Sequence, residues 1–273
     1  MAKTKRRAAR PGTLMLIGGA EDKFEQKYLL KNFVDISGGR RARLMILPSA
    51  SEYEDSGAIY QQVFMDFGAR QVRILPLFNR NEADLPDVAK ELAKATGIFM
   101  TGGDQSKIVS ILHGTACLRA IVAAYERGAT IGGTSAGASA MSDPMIAGGL
   151  GGQLARSRLV KMGQGLGLTA SLIIDQHFQQ RKRLGRLLTA VLTYPQMLGL
   201  GVDEDTAALV TADGQASVIG RGTVTIVDAS EARSANLATI SDKSPIAFSR
   251  MVLHTLVHGG RFDINKREII SKE

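Results

Sequence analysis

The residue best suited to nucleophilic chemistry is Ser135, at the centre of Gly133-Thr134-Ser135-Ala136-Gly137. This pentapeptide fits G-x-S-x-G, follows an apolar strand and precedes small helix-compatible residues, which is the context of a nucleophile elbow. Its small residues permit a sharp strand-to-helix turn that lifts Oγ out of the sheet. The Ala136 amide would then face a developing oxyanion. Because a glycine-rich turn without chemistry has the same pattern, the serine needs a partner base.

The base must come from four histidines. His113 precedes a glycine at the end of a predicted helix, and His254 and His258 fall in a late strand. His177 ends an apolar run that begins at Leu172 and reads as a buried strand. Sites in open α/β sheets form at the carboxyl ends of strands, where both Ser135 and His177 are predicted to lie. His177 is therefore the candidate base, and a structural histidine is the alternative.

A carboxylate that holds the imidazole tautomer would complete a triad. Asp203, Glu204 and Asp205 directly follow another apolar strand, at residues 198–202. Spacing does not choose among these three acids. The chain order serine, histidine, acid differs from the order serine, acid, histidine of the α/β-hydrolases, which argues against that fold.

The segment TGGDQ (101–105) follows a further predicted strand. Gly102 and Gly103 allow a close approach of backbone to a ligand. Asp104 has two interpretations, as a cap of the next helix or as a substrate contact. In the second, Gly103 supplies another oxyanion-hole amide while Asp104 and Gln105 touch the substrate.

A basic cluster follows His177, with Arg181, Lys182, Arg183 and Arg186. A solvated helix face is the ordinary explanation for such a cluster. Here it begins within one or two turns of the candidate base. Because guanidinium groups bind carboxylates in bidentate fashion, the cluster indicates a substrate that carries carboxylates.

Short apolar strands alternate with helical patterns and predict a mostly parallel sheet with helices on both faces. The predicted strands are residues 14–17, 44–47, 72–75, 97–100, 130–133 and 172–178. The predicted helices are residues 24–36, 53–67, 87–95, a helix opened by 101–105 and ending at 112, 118–127, and one that begins near 179. Later strands at 198–202, 207–211, 217–219, 223–227 and 252–257 are expected to complete the same sheet as antiparallel edge strands.

The composition excludes several classes of protein. The 273 residues are 44% hydrophobic and contain no apolar run of membrane-spanning length. The single cysteine, Cys117, excludes an intramolecular disulfide framework and a multi-cysteine metal site. No apolar stretch of signal-peptide type follows the basic N-terminus, so a cytoplasmic enzyme is expected.

The net charge of +8 is unevenly distributed. Five positive charges and no acids lie in residues 1–11, which are expected to form a disordered tail ahead of a single α/β catalytic domain, residues 12–273. The five are Lys3, Lys5, Arg6, Arg7 and Arg10. No aromatic residue lies beside them, so a nucleic-acid partner is only weakly indicated.

Five collinear motifs together resemble the cyanophycinases, a family of serine peptidases that also contains the aspartyl dipeptidases. They are GGAEDK (18–23), TGGDQ (101–105), GGTSAGASAM (132–141), DQHFQQRKRLGRL (175–187) and GVDEDTA (201–207). The resemblance implies a flavodoxin-like α/β fold of the class I glutamine amidotransferase type. It also implies a homodimer. The sequence suggests no metal and no cofactor, and the composition predicts no membrane partner.

The resemblance assigns roles by position. Ser135 matches the nucleophile, His177 the base and Glu204 the acid, a choice that spacing could not make. The positions expected to line the substrate pocket are Gln105, Asp175, Gln176, Arg181, Arg183 and Arg186. The oxyanion hole, argued above from the residues themselves, is assigned to the amides of Gly103 and Ala136, and Asp104 is assigned with Gln105 to substrate binding.

The implied activity is exopeptidase cleavage of cyanophycin, a poly-aspartate with arginine on each β-carboxyl, to β-aspartyl-arginine dipeptides. One alternative is a related serine peptidase that acts on another aspartyl dipeptide or isopeptide. The other is a non-enzymatic protein that binds anions through its basic tail.

Overall fold

The computed structural model describes residues 11–49, 56–234 and 244–271. The basic tail predicted for residues 1–11 lies outside this part of the chain, apart from Pro11. The described strands are β1 (Thr13–Ile17), β2 (Arg43–Leu47), β3 (Gln71–Ile74), β4 (Gly97–Met100), β5 (Thr130–Thr134), β6 (Met145–Gly149), β7 (Val160–Gly163), β8 (Leu172–Gln176), β9 (Leu198–Val202), β10 (Thr206–Thr211), β11 (Gln215–Gly220), β12 (Val224–Asp228), β13 (Arg233–Ser234), β14 (Phe248–Ser249), β15 (Val252–Leu256), β16 (Arg261–Asp263) and β17 (Glu268–Ile269). The described helices are α1 (Tyr28–Ile36), a 3₁₀ turn (Gly39–Arg41), α2 (Ser56–Asp66), α3 (Arg80–Ala83), α4 (Pro86–Ala93), α5 (Gln105–Leu112), α6 (Ala116–Glu126), α7 (Ala136–Ser139) and α8 (Leu184–Thr193).

The main sheet has nine strands in the order β17-β16-β11-β10-β1-β5-β4-β2-β3. The five strands from β1 to β3 in that order are parallel, and β10, β11, β16 and β17 continue the sheet antiparallel from β1. This confirms the expected mostly parallel α/β sheet with antiparallel strands at one edge.

A second sheet, in the order β15-β12-β9-β8, was not predicted. The expectation that residues 198–202, 223–227 and 252–257 complete the main sheet is wrong. The strand β8 pairs in parallel with β9, and α8 makes the crossover between them. Since a short apolar strand does not encode its partner, its sequence fits either sheet.

Helices cover both faces of the parallel strands, as predicted. On β1, Leu14 and Leu16 face one apolar core, which includes residues of α4, α5 and α6. Met15 and Ile17 face the other core, which includes residues of α1 and α2. This two-sided burial follows from the period of two along a strand and explains why these strands are continuous apolar runs.

Two helices begin later than their apolar patterns predict. The first begins at Tyr28 instead of residue 24, because the Asp22 carboxylate accepts hydrogen bonds from the four amides of residues 24–27 and holds them in a loop. The helix expected near residue 179 begins at Leu184. The intervening turn carries the Arg181 to Arg183 part of the basic cluster.

No single helix of the described ranges is long and apolar enough to cross a membrane. By length and composition alone, α5 and α6 pass such a test as a pair bent by 99°.

Gly137 lets the short helix α7 pack directly against β4. A Cβ atom built on Gly137 would lie 2.3 Å from the backbone oxygen of Met100. We therefore expect Gly137→Ala to lower the free energy of unfolding by about 1–3 kcal/mol, the usual cost of overpacking a core. The control is Gly148→Ala, because a Cβ there meets no atom within 4 Å. Urea denaturation measures both, and equal stability of the two variants would contradict this packing.

Candidate active site

The turn at Ser135 has the backbone geometry of a nucleophile elbow. Ser135 has φ 52° and ψ −113°, in a region that side-chain-bearing residues rarely adopt. Such a conformation costs on the order of 1–3 kcal/mol and persists only where surrounding contacts fix it. One such contact is the hydrogen bond of 3.0 Å from the Ser135 amide to the Ile17 carbonyl. Ser135 therefore stands between β5 and α7 with its side chain turned out of the sheet.

A continuous hydrogen-bonded chain joins Ser135, His177 and Glu204. The Ser135 Oγ lies 3.0 Å from His177 Nε2, and His177 Nδ1 lies 2.6 Å from Glu204 Oε1. Because a carboxylate only accepts, Nδ1 is the protonated nitrogen, and Nε2 is left to accept from the serine hydroxyl. The site thus joins a hydroxyl, a neutral imidazole and a carboxylate in the order that acyl transfer requires.

His177 directly follows β8 and is anchored to the segment that leaves β1. Its amide donates to the Gly18 carbonyl at 2.7 Å, and its φ is 47°. The imidazole lies against Gly19, where a Cβ atom would be 2.4 Å from the ring carbon Cε1. Gly19 itself has φ 100°, so both its conformation and its neighbour require glycine.

The structure distinguishes the three acids that spacing left open. Asp203 is buried, and its carboxylate accepts from the Gln179 amide and from the amide and hydroxyl of Thr223. Asp205 accepts from the amide of Asp22 and forms an ion pair with a surface arginine. Glu204 is the one of the three that reaches His177, the position that the resemblance assigned to it.

Two backbone amides were predicted to form an oxyanion hole. Ala136 is the first residue of α7, so its amide has no intrahelical acceptor. A Cβ built on Gly102 would lie 3.4 Å from the Ser135 Cβ, which places the 102–103 turn next to the nucleophile. The role of the Gly103 amide remains a prediction.

The side chains of Asp104 and Gln105 have internal partners. Asp104 caps α5 by accepting from the amides of Ser106 and Lys107. The side-chain amide nitrogen of Gln105, Nε2, donates to the carbonyls of Ile146 and Ala147, each at 3.1 Å. The capping interpretation of Asp104 is therefore the one observed, and Gln105 ties α5 to β6.

Asp175 and Arg186 form a buried ion pair beneath the site. Arg186 Nε lies 2.6 Å from Asp175 Oδ2 and Nη2 lies 2.5 Å from Oδ1. Asp175 is 0% exposed and Arg186 is 2% exposed. The expectation that these two charges contact substrate therefore differs from the structure, because each is already paired and shielded from solvent. The pair instead supports the strand end that carries Gln176 and His177.

Arg183 and Gln176 connect this ion pair to Ser135. The Arg183 Nη1 donates to Gln176 Oε1 at 2.8 Å, and this amide oxygen lies 3.4 Å from Ser135 Oγ. Burial lowers the pKa of Arg183 to about 10, and the neighbouring arginines act in the same direction while Asp175 opposes them. Of the predicted pocket arginines, Arg181 alone is exposed.

The electrostatics of the site favour a neutral base. Burial lowers the pKa of His177, the hydrogen bond to Glu204 raises it, and the cations of Arg181 and Arg183 lower it further. The net shift of the pKa is downward. The imidazole therefore stays neutral, and able to accept a proton, down to a lower pH than an ordinary histidine does. A base that is unprotonated near neutral pH suits general base catalysis.

Comparison with known proteins identifies the family. The model of peptidase family S51 matches residues 14–219. The chain belongs to peptidase family S51. It is 39% identical over 259 residues to a cyanophycinase of Trichormus variabilis, covering 94% of this chain and 87% of that protein. It is 40% identical over 253 residues to a cyanophycinase of Geminocystis herdmanii, covering 92% and 93%.

The fold also matches a solved structure. The crystal structure of a peptidase from an acI-B1 actinobacterium superposes with a TM-score of 0.68 at 20% identity, covering 94% of this chain and 98% of that one. At this identity the likeness concerns the fold. Membership of family S51 confirms the prediction of a serine peptidase.

Sequence reasoning missed several residues that build this S51 site. Gly19 was given no role in the site and Glu21 was noted only as part of a family motif, although both follow β1 at its carboxyl end. Gln180, whose side-chain oxygen accepts from the Glu204 amide at 3.1 Å, was not singled out. The rule that sites form at strand ends would have flagged the 18–23 segment. The described ranges contain no cluster of three metal-ligating side chains.

Breaking the buried ion pair should destabilise the protein. Arg186→Gln leaves the Asp175 carboxylate in the core with a hydrogen bond from the Gln176 amide and, of its two arginine partners, the more distant Arg183, at 3.5 Å. We expect a loss of about 3–5 kcal/mol in the free energy of unfolding. The double variant Asp175→Asn with Arg186→Gln should recover part of the loss, because no unpaired charge remains. If the double variant instead lost the sum of the free energies that the two single variants lose, this result would contradict the pairing.

The exposed cation of Arg181 should tune the base. Arg181→Gln removes a positive charge that disfavours imidazolium, so the pKa of His177 should rise. Proton NMR of the imidazole Cε1–H resonance measures this directly, and His177→Gln assigns the signal among the four histidines. Lys182→Gln is the control, since Lys182 is exposed but is not among the groups that shift this pKa. An unchanged or lowered midpoint in Arg181→Gln would refute the assignment.

Proposed function

We propose that this S51 peptidase is a cyanophycinase that hydrolyses cyanophycin to β-aspartyl-arginine dipeptides through an acyl-enzyme. The observation that carries the proposal is the hydrogen-bonded chain of Ser135, His177 and Glu204 in a protein whose curated relatives named cyanophycinase match it over nearly the whole chain. The family supplies the reaction class and the relatives supply the substrate.

In the first step, Ser135 Oγ attacks the main-chain carbonyl of an aspartyl residue while its proton passes to His177 Nε2. Glu204 accepts the Nδ1–H hydrogen bond and stabilises the imidazolium that forms. The negative charge moves to the carbonyl oxygen, where the amide of Ala136, and that of Gly103, would hold it. These donors are fixed before the substrate arrives, so little reorganisation opposes the reaction.

In the second step, the proton on His177 Nε2 passes to the leaving amine and the C–N bond breaks. An ester between Ser135 Oγ and the acyl group remains. His177 Nε2 then takes a proton from a water molecule as the water oxygen attacks the ester carbonyl. The bond between Ser135 Oγ and the acyl carbon breaks, the proton passes from His177 to Oγ, and the acyl group leaves as a carboxylic acid. The base returns to its neutral form, which its low pKa favours.

The charges around Ser135 support a substrate that carries carboxylates. Arg181 and Lys182 are exposed on the turn that follows His177, and Arg183 lies behind Gln176. We propose that Arg181, alone of the three arginines expected to line the pocket, binds a free α-carboxylate of the substrate. Arg183 instead orients Gln176, whose side-chain oxygen lies beside the nucleophile.

We further propose that the enzyme is a homodimer in the cytoplasm, as the resemblance to the family implies. Sedimentation equilibrium of the purified chain tests the oligomeric state. Fractionation of cells of the source organism tests the compartment.

Purified enzyme should clear insoluble cyanophycin and release β-aspartyl-arginine, identified by mass spectrometry. Ser135→Ala should lower the rate by at least about 10⁴-fold, because the nucleophile is lost. The control is Ser110→Ala, an exposed serine on α5, which should keep the wild-type rate. If the wild type releases no dipeptide while Ser135 still reacts with an acylating inhibitor, the substrate proposal is wrong. A panel of α- and β-aspartyl peptides would then identify the substrate.

A further inference from the structure

We propose that Glu21 is a positioning residue that holds the nucleophile elbow in its strained conformation through Thr134. The inference rests on the proposed role of Ser135 as nucleophile. Glu21 belongs to the segment that follows β1, residues 18–23, called here the β1 loop.

The Glu21 carboxylate is buried and fully engaged. It is 3% exposed, and its Oε2 accepts from Thr134 Oγ1 at 2.5 Å. Its Oε1 accepts from the Tyr60 hydroxyl and lies 3.0 Å from Lys23 Nζ. A buried carboxylate is costly unless it is paired and hydrogen-bonded, so this arrangement tolerates few alternatives. The carboxylate thereby links the β1 loop, α2 and the last residue of β5.

Thr134 is the residue that sets the approach to Ser135. It is itself 3% exposed, and its backbone pairs with Ile17 of β1 in the parallel ladder. Glu21 fixes the Thr134 side chain and β1 fixes the Thr134 backbone. Thr134 therefore constrains the backbone of the next residue, Ser135, at φ 52°. Strained residues require such over-determined surroundings, and a shift of about 1 Å at a nucleophile costs on the order of 10²-fold in rate.

The same β1 loop also holds the other two members of the chain of hydrogen bonds. The carbonyl of Gly18 accepts from the His177 amide, and the carbonyl of Gly19 accepts from the Asp205 amide at 3.0 Å, next to Glu204. The imidazole lies against Gly19. Glu21 therefore fixes the elbow to the very segment that fixes the base and its acid.

A merely structural role for Glu21 makes a different prediction. If the carboxylate only stabilises the core, its loss lowers the melting temperature and leaves the rate of the folded enzyme unchanged. Asp228 provides the comparison, because it is a buried carboxylate, 7% exposed, bonded to the Ser230 amide and to Arg267. It lies opposite Leu198, at the end of β9 that is remote from Glu204.

The experiment measures kcat and KM for a soluble three-unit cyanophycin peptide at a temperature well below every melting point. We expect Glu21→Gln to lower kcat by about 10-fold to 100-fold with KM nearly unchanged. Thr134→Val, which keeps the shape and removes the hydroxyl, should cause a similar loss. Thr134→Ser, which keeps the hydroxyl, should retain most of the rate. Asp228→Asn should lower the melting temperature and leave kcat unchanged.

Coupling provides the decisive comparison. If Glu21 acts through Thr134, the double variant Glu21→Gln with Thr134→Val loses no more rate than the larger single loss. Wild-type kcat in Glu21→Gln, or losses that multiply in the double variant, would overturn the proposal. If Glu21→Gln does not fold, equal rates in Thr134→Val and Thr134→Ser would overturn it. Failure of the proposed cyanophycinase function can be told apart from failure of the Glu21 proposal, because the wild type itself would then release no product.

Discussion

The site depends on the contact between the two sheets at the point where the chain leaves β1. A Cβ on Gly18 would lie 2.0 Å from the backbone oxygen of Asp203, the residue directly after β9 of the second sheet. The Gly18 amide donates to the Thr206 carbonyl of β10, and its own carbonyl accepts from the His177 amide. Without side chains at Gly18 and Gly19, the carboxyl ends of β1, β5, β8 and β9 converge closely enough for three polar side chains to meet.

Charge is arranged in two layers around this point. The inner layer is buried and internally satisfied, with Asp175 paired to Arg186 and braced by Arg183. The outer layer contains the exposed Arg181, which is free to meet an anionic group. The inner pairing means that a cluster of three arginines in the sequence presents one of its guanidinium groups to solvent. The same excess of positive charge favours a neutral His177.

The family relationship and the geometry support different parts of the functional conclusion. Membership of family S51 gives a serine peptidase, and the cyanophycinase relatives suggest the substrate. The geometry brings Ser135, His177 and Glu204 into one hydrogen-bonded chain with the chain order serine, histidine, acid. The candidate nucleophile, Ser135, follows a strand of the main sheet, whereas His177 and Glu204 follow two parallel strands of the second sheet, and this division gives the chain order.

The sequence alone determined the elements and the chemistry that is local to them. Strand lengths, the two-sided apolar pattern and the elbow around Ser135 all follow from residues near one another in the chain. The tertiary structure decided which strands pair, because the apolar sequence of β9 is compatible with either sheet. It also decided which charges face solvent. It also gave Glu21 its place against Thr134, 113 residues away. Such long-range contacts depend on how the sheets pack, and no local pattern carries that information.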